Sequence, residues 1–436
     1  MQFRMNIKIT LFCFLPFIGI GQEALDLEEA FAIALENNYD IELANNSLQK
    51  ADNSQSIYNS GFLPTATVSG NANYSNTDLT LTTQQGIKES IDGVATTNYG
   101  GSLGIQYLIY NGGSRKFQYD RLKKMYEISD AQLKLQIETT FINVYTSFFN
   151  VAKNQEQKRT LESAYKASKD RQERVTAQNK YGKKSNLDVL NAQVDSNSDS
   201  LQVLTISMQL ENNKRNLNLL LGREINFPFD VNSGVVLDNS LSYNTLLESM
   251  YSANMQLKEL ELNKYVSEID LKNYKSAYLP TLSTSVSYAV NNSENGPAGL
   301  FANQLSNGLN AGVSLSWNVF DGGATKVRVQ NAKIDLESQK IYEQRLKKNL
   351  ENQLATYWAE YTTQQIIIKN ETINVAISEQ NFLKSKEQYD LGQITALEYR
   401  QAQLNLINTQ LNLLNAKYNA KLAELQLKIL TANLLN

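Results

Sequence analysis

Gly61-Phe62-Leu63-Pro64-Thr65 and Ala277-Tyr278-Leu279-Pro280-Thr281 are two versions of one pentapeptide, and each marks a change of period. Before each proline, apolar residues recur at helical spacing; after it, apolar and small polar residues alternate. A proline biases its predecessor toward extended geometry, so at both places a helix ends and a strand begins. The chain is therefore a duplicated unit.

The helical stretch before Pro64 is 25–59, with Leu25, Ala30, Ile33, Ala34, Ile41 and Leu48 recurring. Its counterpart is 241–276, with Leu246, Leu247, Met250, Leu257, Leu260 and Ile269. After Pro64, Ala66, Val68, Gly70, Ala72 and Tyr74 alternate with Thr65, Thr67, Ser69, Asn71 and Asn73. A polar loop is expected over 76–98, and then Leu103, Ile105, Tyr107 and Ile109 oppose Ser102, Gly104 and Gln106. The second half repeats both runs, first with Leu282, Thr284, Val286, Tyr288 and Val290 on one face, then with Leu309, Ala311, Val313, Leu315, Trp317 and Val319. Hairpins are thus expected over 64–110 and 280–320.

A run of about 11 residues, at ~3.3 Å per residue and a tilt of ~45°, spans about 25 Å, the height of the apolar band of an outer-membrane barrel. Such alternation also fits an ordinary sheet with one wet face. Four strands of matched length, small polar residues on one face, and Tyr107, Tyr110, Trp317 and Phe320 near one end favour the barrel, with the aromatic residues at the membrane interface. Four strands cannot close a barrel, since the smallest of this type has about eight. An open edge in lipid leaves backbone groups unpaired, so copies of the chain must associate; two would give eight strands and three would give twelve.

Each second strand runs into a glycine pair, Asn111-Gly112-Gly113 and Asp321-Gly322-Gly323. These suit an abrupt turn from strand to helix. They lack the Gly-Lys-Ser/Thr of a phosphate-cradling loop. Proline-free helical patterns follow over 114–181 and 324–391, each about 100 Å long at ~1.5 Å per residue. Gly182 and Gly392 mark the tips, and return helices follow over 186–221 and 395–435. Leu187, Val194, Leu201 and Met208 keep sevenfold spacing, as do Leu397, Leu404, Leu411, Tyr418 and Leu425, with Ile407 and Leu414 between them, which predicts coiled-coil packing. Residues 222–240, with Pro228, are irregular; they join repeat 1 (22–221) to repeat 2 (241–436) and are expected to form a belt around the helices.

Composition narrows the function. Arg4 and Lys8, an apolar run from Ile9 to Ile20, and Gly19-Ile20-Gly21 read as a secretory leader over 1–21, and the one cysteine, Cys13, lies within it. Histidine is absent, which removes histidine-based acid–base chemistry and the usual zinc sites; no metal or cofactor is expected. A net charge of −3 exerts no strong pull on nucleic acid. Carboxylate pairs such as Glu28 and Glu29 sit in helix-surface patterns without a nucleophile–base arrangement, so no enzyme is expected. After the leader no apolar run is long enough to be a membrane helix.

Taken together, the leader, the two helix–hairpin–helix repeats, the Leu-Pro strand starts and the Asn/Asp-Gly-Gly strand ends resemble the TolC-type outer-membrane efflux channels over essentially the whole mature chain. The resemblance implies a mostly α fold with membrane β: a homotrimer whose protomers each give four strands to one twelve-stranded barrel, continuous with a long periplasmic α-helical barrel. It implies the outer membrane of a Gram-negative bacterium, contact with its lipid, and a periplasmic adaptor serving an inner-membrane pump of RND, ABC or MFS type. Adaptor docking at the tips falls on Gly182, Lys183, Leu187, Gly392, Gln393 and Leu397. A periplasmic aperture falls on Asp188, Tyr389, Glu398 and Gln401, with Tyr389 bonded to Asp188 as a latch. Ile394 replaces the arginine that often assists in the family, and Gln401 makes any inner ring polar rather than charged. Three copies of Glu398 around a narrow pore would attract cations. Asp188 and Glu398 read equally as first-turn residues stabilised by a helix N-terminus. A membrane-anchored structural or adhesive coiled coil is the other function class that fits the sequence.

Overall fold

In the computed structural model, residues 24–232, 234–295 and 301–431 are described. The leader expected at 1–21, with Cys13, and positions 432–435 of the last helix lie outside them. In chain order the elements are α1 (Leu27–Asn37), α2 (Tyr39–Ser54), β1 (Thr65–Thr82), β2 (Lys88–Asn111), α3 (Ser114–Lys180), α4 (Asn186–Leu220), α5 (Tyr243–Ala253), α6 (Met255–Ser276), β3 (Thr281–Asn295), β4 (Asn303–Ser316), α7 (Ala324–Asp390) and α8 (Ala396–Leu430). The chain divides into two compact units. One holds the residues up to Tyr39, Thr139–Leu241 and Thr356–Leu427; the other holds Asp40–Glu138, Ser242–Ala355 and the residues from Lys428.

The stretches expected as single helices over 25–59 and 241–276 are each broken, and by the equivalent residue. Asn38 and Asn254 have extended backbone, with ψ of 125° and 123°. The Asn38 amide donates to the Leu220 carbonyl at 2.8 Å, and the Asn254 amide to the Leu430 carbonyl at 3.1 Å. Each ties a helix break to the final carbonyl of a return helix, one of the groups that a helix leaves unpaired. The Asn254 side-chain oxygen also accepts from the backbone N–H of Gln256 and Leu257, capping α6. Leu, Ile and Met continue the helical period across the break, so periodicity alone hides it.

The four strands form one antiparallel sheet in the order β1-β2-β3-β4. Its register stacks side chains in rows, and alternate rows belong to opposite faces. On one face are the rows Thr65–Gln106–Ser285–Gly312, Ser69–Ser102–Ala289–Gly308 and Asn73–Asn98–Ser293–Gln304, which carry no charge. On the other, Ala66–Ile105–Val286–Ala311 and Val68–Leu103–Tyr288–Leu309 are apolar. The alternation expected Ile109 on the apolar face. A bulge between Leu108 and Tyr110 instead sets Tyr110 opposite Leu282, so Tyr107 and Tyr110 share that face although they are three residues apart.

Two hairpin boundaries differ from expectation. The loop placed at 76–98 is mostly strand: β1 and β2 stay paired as far as Thr82 and Lys88, leaving residues 83–87 as the turn. The extension is rich in threonine, which favours extended backbone without an apolar face. β4 ends at Ser316 rather than 320, because its partner β3 begins at Thr281, directly opposite.

In the first unit, Val144, Tyr145, Phe148, Phe149 and Val151 of α3 are buried, as are Tyr418, Ala420, Leu425 and Leu427 of α8; Phe149 meets Tyr418 at 5.8 Å. The joining segment 222–240 is bonded to this unit: Asp238 N–H donates to the buried Glu424 carboxylate, Tyr361 donates to the Asp238 carbonyl, and Leu25 bridges Val231. In the second unit Ile128 and Ala131 of α3 pack with Leu262 and Val266 of α6. Asn254→Ala removes the cap and the bond to Leu430, a loss of about 1–2 kcal/mol. The expected result is a lower melting temperature by circular dichroism, with Asn254→Asp, which keeps the cap oxygen, falling between the variant and the parent.

Candidate functional site

The two helix tips are built alike. At the first, Gly182 takes φ 71°, its N–H bonds the Asn179 carbonyl at 2.8 Å and the Lys183 N–H bonds the Gln178 carbonyl at 2.9 Å. At the second, Gly392 takes φ 74°, with Gly392 N–H on Tyr389 and Gln393 N–H on Gln388. Both are Schellman closures, which need a residue at ease with positive φ. Two residues later a capping box opens each return helix. The Ser185 hydroxyl and N–H donate to the Asp188 carboxylate while Asp188 N–H donates back to the hydroxyl; Thr395 and Glu398 do the same.

Asp188 and Glu398 are thus helix caps within this chain. The Ser185 hydroxyl, then its N–H, hold the Asp188 carboxyl below the usual range, and the Thr395 N–H, then its hydroxyl, do so for Glu398. Tyr389 is engaged apart from the caps' own bonds. Its ring stacks on Tyr399 at 5.0 Å, Lys184 lies 5.3 Å from the ring centre, and among the described residues no hydrogen bond joins Tyr389 to Asp188. Gln401 is exposed and donates to Asn405 at 2.8 Å. Leu187 and Leu397 are exposed, as are Tyr181 and Leu391, which the sequence reading did not single out.

A second feature escaped the sequence reading. Arg400 of α8 makes a two-pronged pair with Asp199 of α4, at 2.6 and 2.8 Å, and also bonds Gln403 at 3.0 Å. Arg171 of α3 pairs with Asp195, one turn before Asp199, and lies 5.7 Å from the Tyr399 ring. Arg171, Asp199, Arg400 and Gln403 are all buried. Burial works against the Arg400 charge, but Asp199 and then Asp195 outweigh it and raise its pKa. The cluster therefore fastens α8 to α3 and α4. The signal was present: Asp199 falls at sevenfold spacing between the buried Ala192 and Ile206.

That spacing corrects the expected packing of α4. Its inward face is Ala192, Asp199, Ile206, Leu210 and Leu217. The stripe Leu187, Val194, Leu201 and Met208 lies on the opposite side, 59–67% exposed. On α7, Ile366, Ile373 and Ile377 form another exposed stripe, 53–63% accessible. Among the described residues, both stripes are left exposed.

The strand–helix turns lie in the other unit. Pro64 and Pro280 immediately precede β1 and β3. The Asn111 side chain accepts from Arg115 N–H at 3.2 Å; the Asp321 side chain accepts from the N–H groups of Gly323 and Thr325 at 3.1 and 2.7 Å. All four glycines that follow, Gly112, Gly113, Gly322 and Gly323, have positive φ. Trp317 donates its indole N–H to the Tyr278 carbonyl at 3.0 Å, Arg115 lies 5.5 Å from the Tyr107 ring, and Phe320 is exposed. Among the described residues, no helix is long and apolar enough to cross a membrane, and no three His, Cys, Asp or Glu side chains cluster as metal ligands.

The sequence profile described as "Outer membrane efflux protein" matches residues 31–223 and 246–433. The chain belongs to that family. Compared with curated protein sequences, it finds no match. Among solved structures, the CmeC outer-membrane channel of Campylobacter jejuni superposes with a TM-score of 0.78 at 18% identity, over 93% of this chain and 85% of CmeC. The outer-membrane protein VceC of Vibrio cholerae gives 0.74 at 15% identity, over 93% and 95%. The open state of the MtrE outer-membrane channel of Neisseria gonorrhoeae gives 0.72 at 15%, over 93% and 88%. This efflux protein thus has the TolC-like channel fold, mostly helical with a small antiparallel sheet.

Two outcomes follow from the tip. Asp199→Ala leaves the Arg400 charge buried and poorly paired, a loss of about 3–5 kcal/mol. Arg174→Ala breaks only a half-exposed pair with Asp390 at 3.6 Å, worth about 0–1 kcal/mol. Limited proteolysis should therefore cut the first variant far faster than the second. The caps add a pH response. A carboxyl with lowered folded pKa stabilises fully above its unfolded value, near ~4, and loses that contribution as pH falls through the folded one. Amide protection factors at the starts of α4 and α8, corrected for intrinsic exchange at each pH, should fall below about pH 4, and less so in Asp188→Asn with Glu398→Gln.

Proposed function

We propose that three copies of this efflux protein form a passive exit duct across the periplasm and outer membrane of a Gram-negative bacterium. The observation that carries this is the sheet: four strands, one face apolar and the other neutral and polar, with β1 and β4 paired on one side only. Lipid does not tolerate such edges, and three sheets give a twelve-stranded wall with its uncharged face inward. The exposed stripes on α4 and α7 support the same reading, since a helix in the wall of a tube needs a neighbour on each side.

At the tips the exposed Tyr181, Leu187, Leu391 and Leu397 around Gly182, Lys183, Gly392 and Gln393 would receive the hairpin of a periplasmic adaptor, itself carried by an inner-membrane pump. The duct performs no chemistry; the pump supplies the energy. With no charge on the inner rows where all four strands pair, ion preference falls to the tip carboxylates, Asp188 and Glu398, which stay ionised at neutral pH. A Tyr389–Asp188 latch would act between neighbouring copies, since each residue is engaged elsewhere within its own.

Planar-bilayer recording tests this reading. The protein should give discrete conductance steps with cation preference, and Asp188→Asn with Glu398→Gln should bring the reversal potential toward zero. Tyr389→Phe should raise the closed-state conductance if the latch holds. Absence of steps from purified, folded protein would contradict the duct.

A further inference from the structure

The last stretch of β2, Tyr107–Asn111, lies beyond the start of β1, because Thr65 stands opposite Gln106. It is strand only through β3, where Thr284, Ser283, Leu282 and Thr281 face Tyr107, Leu108, Tyr110 and Asn111. In the duplicated chain Asn111-Gly112-Gly113 answers to Asp321-Gly322-Gly323, so Tyr107 answers to Trp317, Leu108 to Asn318 and Tyr110 to Phe320. β4, however, stops at Ser316, opposite the first residue of β3. Trp317–Asp321 thus repeats the aromatic spacing of a strand end and has no strand beside it.

The glycines show the same asymmetry. A Cβ on Gly112 would stand 2.4 Å from the Ser276 carbonyl oxygen, whereas one on Gly322 would meet nothing within 4 Å, although both have nearly the same φ, 68° and 69°. Ser276 stands before Pro280 as Ser60 stands before Pro64. Both serines are buried, and each hydroxyl donates to the carbonyl three residues back, on Asn273 and Ile57. The Ser60 carbonyl is therefore the counterpart of the group that fills the space over Gly112.

We propose that Trp317–Asp321 becomes strand on β1 of a second copy, in the register that β2 and β3 use within one chain. Trp317 stands opposite Val68, Asn318 opposite Thr67, Phe320 opposite Ala66 and Asp321 opposite Thr65. Val319 bulges as Ile109 does, and Gly322 lies against the neighbour's Ser60 carbonyl. This inference rests on the duct reading and gives it residue contacts. Faces agree: Trp317 and Phe320 join Val68 and Ala66 on the apolar side, and Asn318 joins Thr67 on the uncharged one. A slip by one residue would exchange the faces, and a slip by two would keep them but move Gly322 off Ser60.

Cysteine pairs test the register, because the only native cysteine is Cys13. Directly opposite residues in an antiparallel pair fall within disulfide reach, and a shift of four residues does not. In oxidised membranes, Leu108→Cys with Ser283→Cys should close within one chain as the control. Asn318→Cys with Thr67→Cys should give covalent dimers and trimers on non-reducing gels, and Asn318→Cys with Asn71→Cys at least tenfold less. Linking by the shifted pair instead, or by neither pair while the control closes and the unsubstituted protein is trimeric, overturns this register and leaves the duct standing. A monomeric unsubstituted protein overturns the duct itself. Gly322→Asn adds an independent readout, since asparagine tolerates positive φ and a lone protomer has room for it. Trimer yield should fall several-fold with helix content unchanged; an undiminished yield removes the Ser60 contact.

Discussion

A backbone N–H or C=O exposed to hydrocarbon costs several kcal/mol, and this one constraint sets the terms for the rest of the molecule. Each strand of this efflux protein's sheet pairs with its neighbour in the order β1-β2-β3-β4, and among the described residues the outer edges of β1 and β4 have no strand beside them. Duplication supplies the remedy. The joint between β2 and β3 is a joint between two repeats, so the same surfaces can meet again between copies, β4 against the next β1. A heterologous contact of that kind closes into a ring when its rotation permits. The apolar stripes of α4 and α7 ask for the same arrangement of the helices.

Within the tip unit the magnitudes rank the contacts. The cluster of Arg171, Asp199 and Arg400, all buried, with the partly exposed Asp195 joins three helices and is costly to break, because a charge left behind in the interior cannot be solvated. The capping boxes of Ser185 and Thr395 are local and exposed, and they set how each return helix begins rather than how the helices are held together. The half-exposed Arg174–Asp390 pair contributes least.

Much of the fold was legible because its signals are local. Pro64 and Pro280 stop one period and start another, and the Asn/Asp-Gly-Gly turns end the second strand and admit a helix. What the sequence concealed depends on distant partners. Asn38 and Asn254 break helices by bonding carbonyls at Leu220 and Leu430, which no window of periodicity contains. The bulge that puts Tyr110 beside Tyr107 belongs to strand pairing, not to alternation. α4 carries two apolar stripes, and the conspicuous one, Leu187 to Met208, faces out, while the inward one is disguised by Asp199. Asp188 and Glu398 were visible as acids near the tips; that they are caps follows from Ser185 and Thr395 three residues before each.

Closure of the proposed barrel depends on the number of copies that supply four strands each. The mass of the detergent-solubilised protein, by light scattering with the bound detergent subtracted, tests it most directly. The account predicts three chains per particle. A stable single chain would contradict it, leaving two strand edges that a membrane does not tolerate and removing the closed barrel from which the duct is inferred.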